Sequence, residues 1–303
     1  VNISNKITMK KEAFYLKIKS LSFLALIAFF TINCSNEDVQ VSVDSDKQDI
    51  EDIEILAEIQ SMTEVLDDMS EVVGTEIDQN KEFSDDAAKS MPDGPYFSSC
   101  VSRTLVLEGN NINISLDYGN GCEGPHGNVL AGLIRIDIQL LSADVKLITH
   151  SFEEFSINGR TIGGTITRNR VRSNQDGYPQ VETSKDISIQ WDEDTVFNRV
   201  GQTTRVWVAG NDTRSWGDDV FLTTGNWNIS RNGVLKRSVT ITKELRREMS
   251  CRFLVSGTMN IEGSQANYSL DFGDGTGDDA AVVTTDDRQE EIQLGRLRRL
   301  IRK

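Results

Sequence analysis

Residues 134–140 run Ile134-Arg135-Ile136-Asp137-Ile138-Gln139-Leu140, with an apolar side chain at every second position. This period of two is typical of a β-strand with one buried face and one face in water. The same alternation recurs in residues 112–118, 187–191 and 268–272, and pairs such as Asn158-Gly159 between strands are typical of hairpin turns. Because no long helical period separates these strands, we expect an all-β antiparallel meander, built as one large curved sheet, a sandwich or a barrel.

The composition is that of a globular chain with an excess of acidic residues. The 303 residues include 47 Asp and Glu against 32 Lys and Arg, which gives a formal net charge of −15. A nucleic-acid binder needs positive charge to release counterions, so we expect no nucleic-acid partner. The two histidines, His126 and His150, and four cysteines are too few for a multi-histidine metal site or a zinc ribbon.

The charge divides the chain into three parts. Residues 1–33 hold five lysines and one acid, and residues 34–99 hold 19 acids and three lysines. Residues 100–303 are close to neutral. We therefore expect a basic leader, an acidic spacer and a balanced globular body.

The leader has the architecture of an export signal. Lysines at positions 10, 11, 17 and 19 precede a largely apolar run, residues 21–30, and Met9 is a candidate start residue. The run is shorter than the ~20 residues that a membrane-spanning helix needs. Residues 1–33 are therefore predicted to be a signal peptide.

The leader ends in Thr31-Ile32-Asn33-Cys34, which resembles the lipobox of bacterial lipoproteins. The resemblance implies that Cys34 is acylated and attaches the protein to a membrane through an N-terminal lipid. A plain signal peptide, or an anchor with an incidental cysteine, is the alternative. Ser35 and the acidic pair Glu37-Asp38 are similar to the sorting and surface-export signals of Bacteroidota lipoproteins, which implies the outer membrane and leaves open whether the body faces outward.

The acidic spacer is predicted to contain one helix. Residues 34–49 are polar and charged and are predicted to be a flexible tether. Residues 50–74 are predicted to form an amphipathic helix that ends at Gly74 and docks on the body or on a second copy. The apolar stripe behind this prediction is Ile53, Leu56, Ile59, Met62, Leu66, Met69 and Val73. Residues 75–95 are predicted to be a linker, 96–295 the all-β domain, and 296–303 a basic tail.

The body contains an internal repeat. Residues 113–121 match residues 267–275 in type at most positions, and a cysteine precedes each copy. The all-β domain is therefore predicted to carry a duplicated edge motif. Cys100 and Cys122 bracket the first copy, and we expect them to form a disulfide in an exported protein. Cys251 has no matching partner and is predicted to be a buried free thiol, with a reactive or intermolecular role as the alternative.

The second copy carries a resemblance to a family. The run Leu270-Asp271-Phe272-Gly273-Asp274-Gly275-Thr276-Gly277-Asp278 is similar to the C-terminal Asp-Phe-Gly-Asp-Gly-Thr motif of an uncharacterised family of Bacteroidota outer-membrane or surface lipoproteins. Pieces of residues 100–285 also fit this family, which carries no activity that can be transferred. Gly277 stands where the family has its second cysteine, so the resemblance implies no bridge to Cys251.

The same loop offers the one candidate metal site. Asp271, Asp274 and Asp278 lie on a glycine-rich turn and could ligate a structural Ca²⁺. Their spacing differs from that of known calcium loops, so a β-turn with side-chain hydrogen bonds is the favoured interpretation and no cofactor is expected.

Nothing in the sequence forms a recognisable catalytic arrangement. A carboxylate-dependent glycoside hydrolase using residues 192–194 or 218–219 is the enzymatic alternative, and we expect no catalytic residues. Trp216 lies in a turn and is the candidate for stacking on a sugar, whereas Trp191 and Trp227 follow the apolar alternation and are predicted to be core.

These observations predict a lipid-anchored protein of the bacterial outer membrane with a non-enzymatic binding or structural role. Its expected partners are the membrane and either envelope proteins or a glycan. The alternative function is a surface glycan-binding or polysaccharide-processing accessory protein.

Overall fold

The computed structural model describes residues 37–79 and 99–295, apart from positions 214, 265 and 287. The predicted signal peptide, Cys34 and the basic tail lie outside the described residues. The chain divides into two compact units, Val1–Asp52 and Ile53–Lys303. Helix α1 (Glu37–Gln79) crosses this division, and its residues from Ile53 onward belong to the second unit.

The second unit contains one continuous antiparallel sheet, which confirms the predicted all-β meander and selects a single sheet over a sandwich. Every strand pairs with its neighbour in the chain, except that β3 pairs only with β4 and β2 also pairs with β4. The strands are β1 Ser102–Glu108, β2 Asn111–Asp117, β3 Cys122–Glu123, β4 Val129–Leu140, β5 Val145–Ile157, β6 Arg160–Val171, β7 Gln180–Gln190, β8 Val196–Ala209, β9 Val220–Arg231, β10 Val234–Glu248, β11 Ser256–Gly263, β12 Asn267–Asp274, β13 Ala280–Thr284 and β14 Gln289–Gln293.

The alternating sequence pattern corresponds to alternating burial. In β2 the side chains of Ile112, Ile114 and Leu116 are buried, and their neighbours are exposed or half-buried. β7 alternates in the same way along most of its length. One face of the sheet is therefore the core face, as a period of two requires.

Helix residues 53–77 fill the space on that face. Every residue in this range is buried except Ile55 and Ser61, which are half-buried. A helix that presents only one stripe to a core would leave its opposite face in water. Here the polar face is buried as well as the apolar stripe, so the sheet curves around the helix.

The helix is longer at both ends than the sequence predicts. It begins at Glu37 instead of residue 50, so the predicted tether is helical from Glu37 onward. Extending a helix that packing has already nucleated costs little per residue, which explains how a polar stretch joins it.

Gly74 lies inside the helix and does not end it. Its lack of a side chain leaves room for Arg170. A β-carbon at position 74 would lie 3.2 Å from Nε of Arg170 on β6. The helix continues past Gly74 to Gln79, so the predicted linker starts later than residue 75.

The duplicated motif forms the same local structure twice. In β2 the carboxylate of Asp117 accepts a hydrogen bond from the backbone N–H of Gly119 at 2.8 Å. In β12 the carboxylate of Asp271 accepts one from Gly273 at the same distance. Each copy thus ends its strand with a turn closed by an aspartate side chain.

Cysteines lie beside both copies of the duplicated motif. Cys100 and Cys122 form the predicted disulfide, with their Cα atoms 5.8 Å apart. Cys251 is a free thiol that is half-buried, less enclosed than predicted. Its Sγ occupies the space that a side chain at Gly277 would enter, so the second copy places a glycine against the lone sulfur.

Candidate functional site

The central strands of the sheet carry buried cations on the core face. These residues follow the same period of two as the apolar side chains around them: Arg168 continues the row of Ile166, and Lys185 precedes Ile187. The buried cations are Lys146 on β5, Arg168 and Arg170 on β6, Lys185 on β7, Arg199 and Arg205 on β8, and Arg247 on β10. They form a basic stripe inside the molecule, which we call the internal basic stripe.

The polar face of the helix supplies the matching anions. Asp67 forms ion pairs with Arg168 and, at 2.7 Å, with Nζ of Lys185. Glu71 forms an ion pair with Arg170 one helical turn further on. The acidic spacer and the internal basic stripe are therefore complementary parts of one core.

Asp68 accepts hydrogen bonds from two arginines on different strands. Its Oδ1 accepts a hydrogen bond from Nη2 of Arg205 at 2.7 Å. Its Oδ2 accepts two from Arg247, from Nε at 2.9 Å and from Nη2 at 2.8 Å. All three side chains are at most 3% exposed, so water does not screen these interactions.

Arg199 is held by neutral partners. It donates hydrogen bonds to Oε1 of Gln60 at 2.7 Å and to Oγ1 of Thr63 at 2.6 Å. Its guanidinium also lies 3.9 Å from the centre of the Trp227 ring, which is a cation–π contact. Trp227 is buried as predicted, and its role is to cover this cation.

The charges shift the pKa values of the helix carboxyl groups. Burial alone would raise the pKa of Asp67, but Lys185 and Arg168 outweigh burial and hold this pKa well below its usual range. The pKa of Asp68 is lowered in the same way, against burial, by Arg247 and Arg205. Both groups are therefore carboxylates at neutral pH.

A buried serine–histidine pair lies beside this network. Oγ of Ser70 and Nε2 of His150 on β5 are 2.6 Å apart. Burial, with a contribution from Arg168, lowers the pKa of His150 to about 3, so the ring is neutral. The pair has a nucleophile and a base within hydrogen-bond reach, but His150 is only 4% exposed, and the interaction fastens the helix to the sheet.

The cavity beside the helix is small. It is lined by Ala57, Gln60 and Glu64 of the helix together with Phe253 and Phe272, among others, and has room for about one water molecule. It is too small for an organic ligand.

Trp216 is less exposed than the sequence predicts, and Trp191 is more exposed. Trp216 lies in a short 3₁₀ turn, Trp216–Asp218, and its side chain is half-buried instead of fully presented to solvent. Trp191 is not in the core, which corrects its prediction, because β7 ends at Gln190 and Trp191 belongs to the following turn. There the guanidinium of Arg160 stacks 3.4 Å from the centre of its ring.

The carboxylates of the hydrolase alternative lie in two separate turns. Residues 192–194 are exposed between β7 and β8. Asp218 is exposed and accepts a hydrogen bond from Oγ1 of Thr213 at 3.0 Å. Asp219 is buried, and burial together with the nearby Asp218 raises its pKa to about 7.

The candidate calcium ligands are engaged in their own turns. Asp271 also accepts a hydrogen bond from Oγ1 of Thr258 at 2.9 Å. Asp278 accepts one from the backbone N–H of Ala280 at 3.0 Å, and Asp274 one from Thr276 at 3.3 Å. Among the described residues, these or any other acidic, cysteine or histidine side chains do not come together as a group of three that could hold a metal ion.

Sequence reasoning did not identify the internal basic stripe. The signal was present, because lysine and arginine occur in phase with buried apolar positions in β6, β7 and β8. A buried cation needs a buried anion. The acidic face of the predicted helix is the obvious source in this chain.

Comparison with protein-family models, with curated proteins and with solved structures finds no significant match to this chain. Across residues 37–79 and 99–295, the structure contains no helix with the length and apolar character needed to cross a bilayer.

Proposed function

We propose that this protein is a lipid-anchored lipoprotein of the bacterial outer membrane with a non-enzymatic, structural or binding role. In this proposal Cys34 carries the lipid, and the chain belongs to the Bacteroidota lipoprotein family that its C-terminal motif resembles. Helix α1 then connects the anchor to the body.

The observation that carries the proposal is the position of helix residues 53–77. They lie inside the sheet, and Asp67, Asp68 and Glu71 are ion-paired there with strands β6, β7, β8 and β10. Residues 53–77, which come after the lipidation motif in the sequence, are thus part of the core. A pull on the anchor is passed to the interior of the body, which suits a protein that must stay attached to a surface.

The occupied interior also favours a non-enzymatic role. Arg199, Arg205 and His150 face the interior and are each hydrogen-bonded to a helix residue. A substrate would have to displace the helix and leave several charges without partners, at a cost of several kcal/mol. Binding to a partner therefore takes place on the outer surfaces of the sheet or at its ends.

The lipid anchor is tested by labelling cells with a palmitate analogue. The unaltered chain should be labelled and should sediment with membranes, and Cys34→Ala should lose the label. Cys251→Ala is the matched control, because it removes the other unpaired cysteine and should keep the label. A label that persists in Cys34→Ala contradicts the proposal.

A further inference from the structure

The hairpin that joins β9 and β10 exposes two neighbouring aliphatic side chains. Val234 is 58% exposed and Leu235 is 59% exposed, the largest values among the exposed large apolar residues of the described chain. Arg231 and Lys236, both exposed, flank them. We call residues 231–236 the β9–β10 tip.

The β9–β10 tip projects beyond one of its neighbours. β11 pairs with β10 only as far as Arg237, opposite Gly263, so residues 234–236 extend past the end of β11. On the other side the tip is held in place, because Asn232 donates a hydrogen bond to the carbonyl oxygen of Asp194 at 3.0 Å. The tip is therefore a fixed projection, with a defined position for both aliphatic side chains.

The second compact unit, which starts at Ile53 in the helix, begins at the same end of the sheet as the tip. Gln60 of the helix contacts Arg199, three residues into β8, which starts at Val196 beside the β9–β10 tip. Along β8 the helix partners advance from Gln60 to Asp68, so the helix runs in the direction of β8. Ile53 lies roughly 10 Å before Gln60 along the helix, and the start of β8 lies about 10 Å before Arg199, so Ile53 is level with the tip.

We propose that the β9–β10 tip is a membrane-contact site that inserts Val234 and Leu235 into the interfacial region of a phospholipid bilayer. The identification of that bilayer as the one holding the lipid anchor rests on the proposed function. Exposed aliphatic residues with cations beside them suit this region, where apolar side chains enter the acyl boundary and Arg231 and Lys236 reach the phosphates.

The chemistry of the tip favours a bilayer over a protein partner. Two aliphatic side chains cover far less than the ~800 Å² per partner that a stable protein interface needs. A membrane contact can be this small, because a tether that leaves the body at the same end keeps the tip close to the lipid. The acidic turn 192–194 next to the tip offsets its positive charge, so insertion depends on the aliphatic pair and does not require anionic lipid.

The test measures the depth of the tip on vesicles. The mature chain, residues 35–303 with Cys251→Ser, is attached by an N-terminal histidine tag to phosphatidylcholine vesicles containing nickel-chelating lipid. A fluorophore that responds to polarity is placed at Leu235→Cys or, as the control, at Leu141→Cys. Leu141 is 55% exposed and lies in the β4–β5 hairpin at the opposite end of the sheet.

On the vesicles, the emission of the fluorophore at position 235 should shift to the blue. Its intensity should fall by at least about half when doxyl-labelled lipid is included. The emission of the fluorophore at position 141 should change in neither respect. Equal behaviour at the two positions would overturn the proposal. A blue shift at position 235 that appears when the chain self-associates without lipid would also overturn the proposal. The tag replaces the natural anchor, so failure of Cys34 acylation does not affect this result.

A second measurement removes the side chains themselves. Val234→Ser with Leu235→Ser should weaken binding of the histidine-tagged mature chain to phosphatidylcholine vesicles containing nickel-chelating lipid roughly tenfold, because both aliphatic groups are lost from the interface. Leu141→Ser should leave binding unchanged. Both sites are exposed, so neither change disturbs the core, and equal binding by all three proteins would refute the assignment.

Discussion

Replacing Asp68 by asparagine tests whether the buried ion pairs hold the helix inside the sheet. Asparagine has the shape of aspartate, so Asp68→Asn leaves no cavity. It removes the negative charge that Arg205 and Arg247 share through three hydrogen bonds of 2.7–2.9 Å. Its amide group also presents N–H donors where both neighbours are donors.

The expected loss follows from the burial of the partners. Arg205 and Arg247 are each 3% exposed in the side chain, so water cannot replace the missing carboxylate. Breaking a buried pair by removing one partner costs about 3–5 kcal/mol. Arg247 keeps a hydrogen bond to the carbonyl oxygen of Glu248 at 2.7 Å, and Glu64 lies 3.8 Å from Arg205, so we expect the lower part of this range.

The assay is urea unfolding followed by tryptophan fluorescence, with the free energy of unfolding taken from the midpoint and slope. The matched control is Glu153→Gln, which removes a carboxylate 3.0 Å from Arg135 in a pair whose side chains are 54% and 64% exposed. An exposed pair contributes at most about 1 kcal/mol. If Asp68→Asn costs no more than Glu153→Gln, the buried network does not hold the helix.

Three further outcomes are expected. Between pH 4 and about 7, folded Asp219 binds a proton that the unfolded chain has released, so the free energy of unfolding should fall as pH rises through this window, and Asp219→Asn should flatten that part of the urea midpoint-against-pH curve. Gly277→Cys should form a disulfide with Cys251, seen as a mass lower by ~2 Da than that of the reduced chain and as the loss of the free thiol. The disulfide should raise the free energy of unfolding by about 2 kcal/mol, because loop closure contributes about 3 kcal/mol and the positive φ of +73° at position 277 costs about 1 kcal/mol. A thiol that remains titratable would contradict this geometry. Gly74→Ala normally adds about 1 kcal/mol to a helix, but here the new methyl lies 3.2 Å from Nε of Arg170, so the urea midpoint should fall, and a full gain would refute the close approach.

The sheet was predictable because its signal is local. Runs such as residues 134–140 alternate without interruption, and each hairpin carries its own turn residues. The disulfide was predictable because Cys100 and Cys122 bracket one copy of the repeat. None of these inferences depends on knowing which strands lie on opposite sides of the core.

The interior was less predictable because its partners are far apart in the chain. Asp68 and Arg247 are separated by 179 residues, and no local pattern links them. Gly74 was interpreted as a helix end because glycine commonly has that role, whereas its actual neighbour is Arg170. The sequence shows the acidic face and the in-phase cations separately, and only the fold brings them together.

The enclosed helix also determines the order in which the molecule is assembled. The nascent chain presents Asp67 first, and Arg168 follows 101 residues later, with Arg247 later still. Such long separations give a high contact order and slow folding. The acidic helix must therefore stay unpaired until β10 has been synthesised, and its charge keeps it soluble during that time.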